Sequence, residues 1–265
     1  MRKKILTLVK TYPNPSRKYQ ESVCVAGVTE DKKWIRLYPV RFRSLDDEKR
    51  FHKYQWVELD IIESSDPRPY TYKPLIDNMV TGDKIGTNNN WSERKEWVYS
   101  LLTDSMCSVQ QEANQCLEEN RPVARSLAAF RPRLVEDLEV EPDEPDWTAD
   151  QKAWMGQQGL FDKYRHPLEK VPYKFYYRYR CTAEKCCGHR QSIIDWEIMQ
   201  LYRNIKGTCR REEEIIQKIK DKWLGQMCGH DKDTVFFVGN GFQTPKSFMV
   251  LGVFYPKRVM DQPFL

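Results

Sequence analysis

Residues 22–40 read "SVCVAGVTEDKKWIRLYPV", and they decide how the first part of the chain folds. Two short apolar runs, rich in β-branched and aromatic residues, flank the polar pentapeptide "TEDKK", which is the pattern of two strands joined as a hairpin. The same grammar continues on both sides. Upstream, "KILTLVK" (4–10) is a strand followed by a segment of Pro, Asn and Ser. Downstream, "YQWVELDII" (54–62) supplies another strand, and "SSDPRPYTYKP" (64–74) is extended and broken by proline. The first 75 residues therefore predict a small barrel or sandwich.

Beyond them the period changes. Trp91, Trp97, Val98, Leu101 and Leu102, then Val109, Ala113, Cys116 and Leu117, recur at helical spacing and predict two short helices. "RLVEDLEVEP" (133–142) returns to strand spacing. "YKFYYRYRC" (173–181) alternates strictly, with Phe175, Tyr177, Tyr179 and Cys181 on one side and Lys174, Tyr176, Arg178 and Arg180 on the other. Two amphipathic helices follow, over 191–206 and 211–227, the second striped by Ile215, Ile216, Ile219, Trp223 and Met227. "TVFFVG" and "SFMVLGVFY" around a turn-rich segment predict a closing hairpin. The order is β, helices, β, helical hairpin, β, with a division expected between 1–120 and 121–265.

With 265 residues, 40% of them hydrophobic and 12% aromatic, the chain can bury a core. The apolar run at Ile5–Val9 is too short for a signal-peptide core, and no window approaches the roughly 18 apolar residues of a membrane helix. A soluble cytoplasmic protein is expected. The formal charge of +5 is a weak argument for nucleic acid. Its distribution is more informative: Arg36–Arg50 and Lys163–Arg190 are basic, and 135–147 is acidic.

"CTAEKCCGH" (181–189) concentrates three of the eight cysteines beside a histidine. In a reducing compartment such a cluster reads first as metal ligation. An antiparallel return of two helices, each about 25 Å long, brings the segment at 228–230 back toward the cluster. The candidate ligands are then Cys181, Cys186 or Cys187, His189, and Cys228 or His230, with Cys209 left at the hairpin tip. Four thiolate and imidazole donors with no open position suit structural zinc; buried free thiols, or a redox or nucleophilic thiol, are the alternatives. Cys24 reads as a small buried hydrophobe. His189, Asp195 and Glu197 form an alternative catalytic set for magnesium. Two helical residues two apart diverge by about 200°, so that pair needs partners from elsewhere, and Asp195 reads more simply as charge at a helix start.

Trp34, Arg36, Arg41 and Arg43 in one strand region, and Lys174, Tyr176, Arg178 and Arg180 in the other, combine rings that stack on bases with cations that neutralise phosphates. The run "ILTLVKTYPNPSRKYQESVCVAGVTEDKKWIRLYPV" (5–40), with a strand, a polar segment, a "CVAG" strand and a "WIR" strand in that order, resembles the start of bacterial dual OB-containing proteins. The resemblance implies two OB-like barrels and a role alongside nucleic acid or in prokaryotic defence. The expected fold is thus α+β, two small OB-like β-barrel units with helical insertions, the second carrying a Cys/His-stapled helical hairpin. The expected function is binding of single-stranded DNA or RNA without catalysis. A metal-dependent nuclease using His189, Asp195 and Glu197, or a scaffold subunit that binds other proteins, are the alternatives.

Overall fold

The computed structural model describes residues 1–156, 167–209 and 211–259. In it the opening hairpin is β3 (Gln20–Thr29) against β4 (Trp34–Val40), antiparallel, with Val28 opposite Trp34. The turn closes because the Thr29 N–H donates to the Lys33 carbonyl at 3.0 Å and Lys32 takes a positive φ of 58°. β1 (Arg2–Lys10) pairs with β3 on one edge and with β5 (Gln55–Glu63) on the other. β5 pairs with the long β6 (Thr71–Lys84), whose first residues run parallel to β4, Arg36 opposite Thr71. The pairings thus close on themselves, β1 to β3 to β4 to β6 to β5 to β1, with the short β2 (Asn14–Ser16) added to β3. Gly27 sits where β1 and β3 come closest; a Cβ there would lie 2.4 Å from the Leu6 carbonyl oxygen, so the position needs glycine.

The interior of this first circuit is filled by Ile5, Val25, Ile35, Leu37, Val57, Leu59 and their neighbours. β1 and β3 are apolar on both faces because their outer faces are covered too. Leu6, Leu8, Ala26 and Val28 pack against Leu127, Ala129, Val235, Phe237 and Leu251 of the second half. A strand buried on both sides reads as a continuous apolar run, as "ILTLV" does.

The helices expected near Trp91–Glu119 are α1 (Asn88–Tyr99) and α2 (Met106–Glu118). Ser105 caps α2 by accepting the Ser108 N–H at 3.1 Å. Val98 of α1 packs between the halves, whereas Met106, Val109 and Ala113 of α2 belong to the second core. That half has two three-stranded sheets. β8 (Pro132–Pro142), β9 (Tyr173–Cys181) and β10 (His189–Ser192) form one; β7 (Leu127–Phe130), β11 (Val235–Asn240) and β12 (Phe248–Phe254) form the other. They are joined on both sides, by the chain running from β7 through Arg131 into β8 and by a parallel bridge from Ile193 to Val250. α3 (Ala149–Gly156) lies in the connection from β8 to β9. The first residues of the second basic block, Lys163–Arg165, lie outside the described residues.

The alternation read in β9 is present, with Phe175, Tyr177, Tyr179 and Cys181 buried. The helical hairpin differs at its start. α4 (Trp196–Ile205) begins five residues later than 191 because Ile193 and Ile194 are extended, the Ile194 N–H donating to Val250 and its carbonyl accepting from Tyr12. α5 (Glu212–Lys220) continues into a π-helical turn, Asp221–Gln226, and buries Ile215, Ile219 and Trp223 as striped. The protein is α+β with strands predominating. Among the described residues no helix is long and apolar enough to cross a membrane.

Candidate metal centre and inter-unit cleft

The β9–β10 hairpin is tied by a seven-residue connection, 182–188, which folds back over its own strand. The Cys186 N–H donates to the Ala183 carbonyl at 3.1 Å, and Gly188 adopts a φ of +102°, a conformation that glycine takes without strain. This turn sets Cys181 at the end of β9, Cys186 within the connection and His189 at the start of β10 side by side. The fourth group is Cys107, in the first turn of α2. The donor atoms of Cys107, Cys181, Cys186 and His189 all lie within 4.8 Å of one another, so these four residues can hold a metal ion. The Cys181 and Cys107 Sγ atoms are 3.5 Å apart and Cys107 Sγ is 3.4 Å from His189 Nε2, contacts far longer than a disulfide bond.

The surroundings favour thiolate at Cys181. The Cys181 N–H points at Cys186 Sγ at 3.4 Å. Burial pushes the Cys181 thiol up, but the backbone N–H groups of Ala183 and Cys107 and the His189 ring outweigh it and hold the group at about 6. Burial, and then the neighbouring Cys181 and Cys186, raise Cys107 to about 12. Tyr179 stacks on the His189 ring at 5.1 Å and fixes its plane.

The other expected ligands are elsewhere. Cys187 is exposed and turned toward the Lys185 carbonyl. Cys228 donates to the Trp223 carbonyl at 3.4 Å, beside Tyr177, whose hydroxyl donates to the same oxygen; burial pushes this thiol up to about 12. The hairpin therefore returns to the middle of β9. Tyr177 and Cys181 are four residues apart on a strand, about 13 Å, which is why neither Cys228 nor His230 joins the group. His230 is exposed, and Cys209, at the tip, accepts from Lys218. Cys24 is half-buried and lines a cavity instead of a core.

His189, Asp195 and Glu197 do not form one site. Asp195 is the cap of α4, in extended conformation, accepting the Glu197 N–H at 2.9 Å. That geometry lets both carboxylates reach one point, contrary to the helical estimate. The point is occupied by Lys53 Nζ, 2.6 Å from Asp195 Oδ2 and 3.1 Å from Glu197 Oε2. Burial pulls Lys53 down, but the two carboxylates outweigh it and hold the amine above its ordinary value. Burial raises Asp195 to about 6. Lys10, beside them, is lowered to about 8 by burial and then by the Lys53 charge.

The basic strand residues are largely met by carboxylates. The register of β8 on β9 sets Asp137 opposite Arg178, Glu139 opposite Tyr176 and Glu141 opposite Lys174. Arg178 faces Glu136 and Glu139, Arg180 faces Glu136, and Lys174 pairs with Asp143. In the first half Arg43 pairs with Glu21 at 2.7 Å and Arg41 donates to Gln20. Trp34 is half-buried, edge-on to Phe237. Arg36 is 1% exposed and cannot meet a phosphate at the outer surface.

Where the halves meet they leave a cavity of about 610 Å³, within the range of small-ligand pockets. Three of the residues predicted to bind, Arg36, Lys174 and Tyr176, line it. Among the described residues its wall carries four cations, Arg36, Arg68, Lys170 and Lys174, against one carboxylate, Asp143, and seven aromatic rings including Tyr38, Trp147, Tyr176 and Phe242. Phe242 is 57% exposed. Arg36 is held by neutral groups only, donating to Ser126 Oγ at 2.9 Å, the Ser126 carbonyl at 2.8 Å and Thr71 Oγ1 at 3.4 Å. Among the described residues, its Nε and the Oδ1 of Asn240 are buried without a hydrogen-bond partner.

Fold and site together define an α+β protein with a Cys/His group able to hold a metal ion and a cationic, aromatic cleft. The chain belongs to the family described as Domain of unknown function (DUF8757), whose model matches residues 102–265. Residues 1–100 match a second model, Domain of unknown function (DUF8758). None of the curated proteins matches the chain. Among solved structures it is similar to one titled "Structure of murine DNA binding protein bound with ds DNA", at 10% identity over 99% of each chain with a TM-score of 0.30. That likeness is too low to carry a fold or a function.

Proposed function

We propose that this protein binds single-stranded nucleic acid without cleaving it, through two OB-like units whose facing sides form the cleft. The observation that carries the reading is the cleft itself, four cations and seven rings against one carboxylate, since single strands are held by rings that stack on bases and cations that neutralise phosphates. The strand order supports OB-like units. In the first half the third and fifth strands of the circuit, β4 and β6, pair in parallel and the first strand closes on both the second and the fourth. The second half repeats that order with β8, β9, β10, β11 and β12, with β7 continuing β8 and helices between the third and fourth strands. Such an order is compatible with the five-stranded Greek-key arrangement of OB-folds, which bind oligonucleotides, and the division of the chain near its middle belongs to the same proposal. Participation in prokaryotic defence rests on the N-terminal resemblance alone.

The metal we assign to Cys107, Cys181, Cys186 and His189 is zinc in a structural role. With Zn–S bonds near 2.3 Å a tetrahedron has edges of about 3.8 Å, close to the S···S and S···N separations found here. Such an ion would staple α2 to the β9–β10 hairpin. Fluorescence anisotropy with labelled single and double strands tests the binding. Single strands should be preferred, with affinity falling steeply as salt rises and strand length unchanged in magnesium or manganese. Salt-insensitive or absent binding refutes the proposal, and shortening of the strand replaces it with the nuclease reading.

A further inference from the structure

We infer that the cleft takes one unstacked nucleobase and reads its edge with Arg36 Nε and Asn240 Oδ1; this rests on the binding proposed above and names what that site recognises. Arg36 and Asn240 come from opposite halves of the chain and both line the cavity, and these two atoms are hydrogen-bonded neither to each other nor to any other described group. Arg36 is 1% and Asn240 2% exposed, so neither is satisfied by bulk water. A buried donor or acceptor left unpaired is costly, and the cost is recovered when a ligand completes it.

The complement of this pair is specific in kind. Arg36 Nε–H requires an acceptor and Asn240 Oδ1 a donor. Asn240 is committed in this sense because its Nδ2 already donates to the Pro245 carbonyl at 3.1 Å. Arg36 is committed because its other nitrogens are held by Ser126 and Thr71. An acceptor beside a donor on a flat ring is the Watson–Crick edge of a nucleobase, the edge left free when a base is splayed out of its strand. The rings for stacking are at hand. Tyr176 lies under the Arg190 guanidinium at 3.7 Å, and Phe242, at the cavity wall, exposes more than half of its surface. Lys170 and Lys174 share the single carboxylate of Asp143, which leaves cationic charge for the phosphate attached to such a base.

The test compares wild type with Asn240→Leu and Phe242→Ala. The second removes an exposed ring and leaves the fold intact; the first is checked by its melting curve. The probes are a labelled oligothymidylate, the same strand with one abasic position, and the free nucleotides UMP and AMP. Each variant should weaken oligonucleotide binding by about tenfold, and the abasic strand should show little of that further loss. If the oligonucleotide binds but both variants bind it as wild type does, the base pocket is wrong and the strand-binding reading stands. If the oligonucleotide is not bound while UMP or AMP raises the melting temperature of wild type and not of the variants, the pocket stands and the strand reading falls. If neither probe binds, both fall.

Discussion

Lys53 holds the two halves together through Asp195, and its removal has a calculable cost. The ammonium lies 2.6 and 2.8 Å from the Asp195 oxygens, with the lysine side chain 10% and the aspartate 0% exposed. Lys53→Met keeps the apolar stem and removes the charge, leaving a carboxylate buried at the junction. Breaking one side of a buried pair costs about 3–5 kcal/mol, because the orphaned charge cannot return to water. For a chain of this size that is a fall of about 6–20 °C in Tm. Glu197, 54% exposed, adds little. The assay is urea denaturation of Lys53→Met, Asp195→Asn and the double variant, asparagine being chosen because it still caps α4. Once the aspartate is neutral the lysine substitution should cost much less, so the double variant should be more stable than Lys53→Met alone. The loss should also depend on pH. Burial already raises Asp195 to about 6, above its unfolded value near 3.8, and losing Lys53 raises it further. The folded variant then binds more protons than the unfolded chain above pH 4, so its stability falls as pH rises through that window. Equal losses in the single and double variants, or a pH-independent loss, would refute this account.

Purified protein should carry about one zinc ion per chain by elemental analysis, and a chelator should lower its Tm. Cys107→Ser, Cys181→Ser and His189→Ala should each lose the metal, while Cys187→Ser, Cys209→Ser and Cys228→Ser keep it; metal retained by Cys107→Ser overturns the assignment. Arg178→Ala with Arg180→Ala should change single-strand affinity less than twofold or so, because Glu136 and Glu139 already neutralise these side chains; a large loss would move the binding surface from the cleft to the outer face of β9. Lys10, lowered to about 8, should make stability rise between about pH 8 and 10.5, where the unfolded chain holds more protons than the folded one. Lys10→Met should remove that slope in thermal melts taken across the window, and an unchanged slope would reject the assignment.

Local periodicity determined much of this protein from the sequence alone. Strict alternation placed Phe175, Tyr177, Tyr179 and Cys181 on the buried face of β9, and the helical stripe placed Ile215, Ile219 and Trp223 inside. Both follow from which side chains one element can turn to one side. Cys181, Cys186 and His189 were legible together because a single hairpin connection carries them. Cys107 was not, since it lies 74 residues from Cys181 and nothing in its local sequence distinguishes it from a helix residue. The tertiary structure also decided the charges. The acidic run at 135–142 lies in register beside the basic strand and neutralises a face that reads, in isolation, as a phosphate contact. Lys53 and Asp195 meet across 142 residues, and the cleft draws its polar pair from Arg36 and Asn240 in opposite halves. Periodicity tells a side chain which way to face; what it faces is set by how distant strands close their circuits.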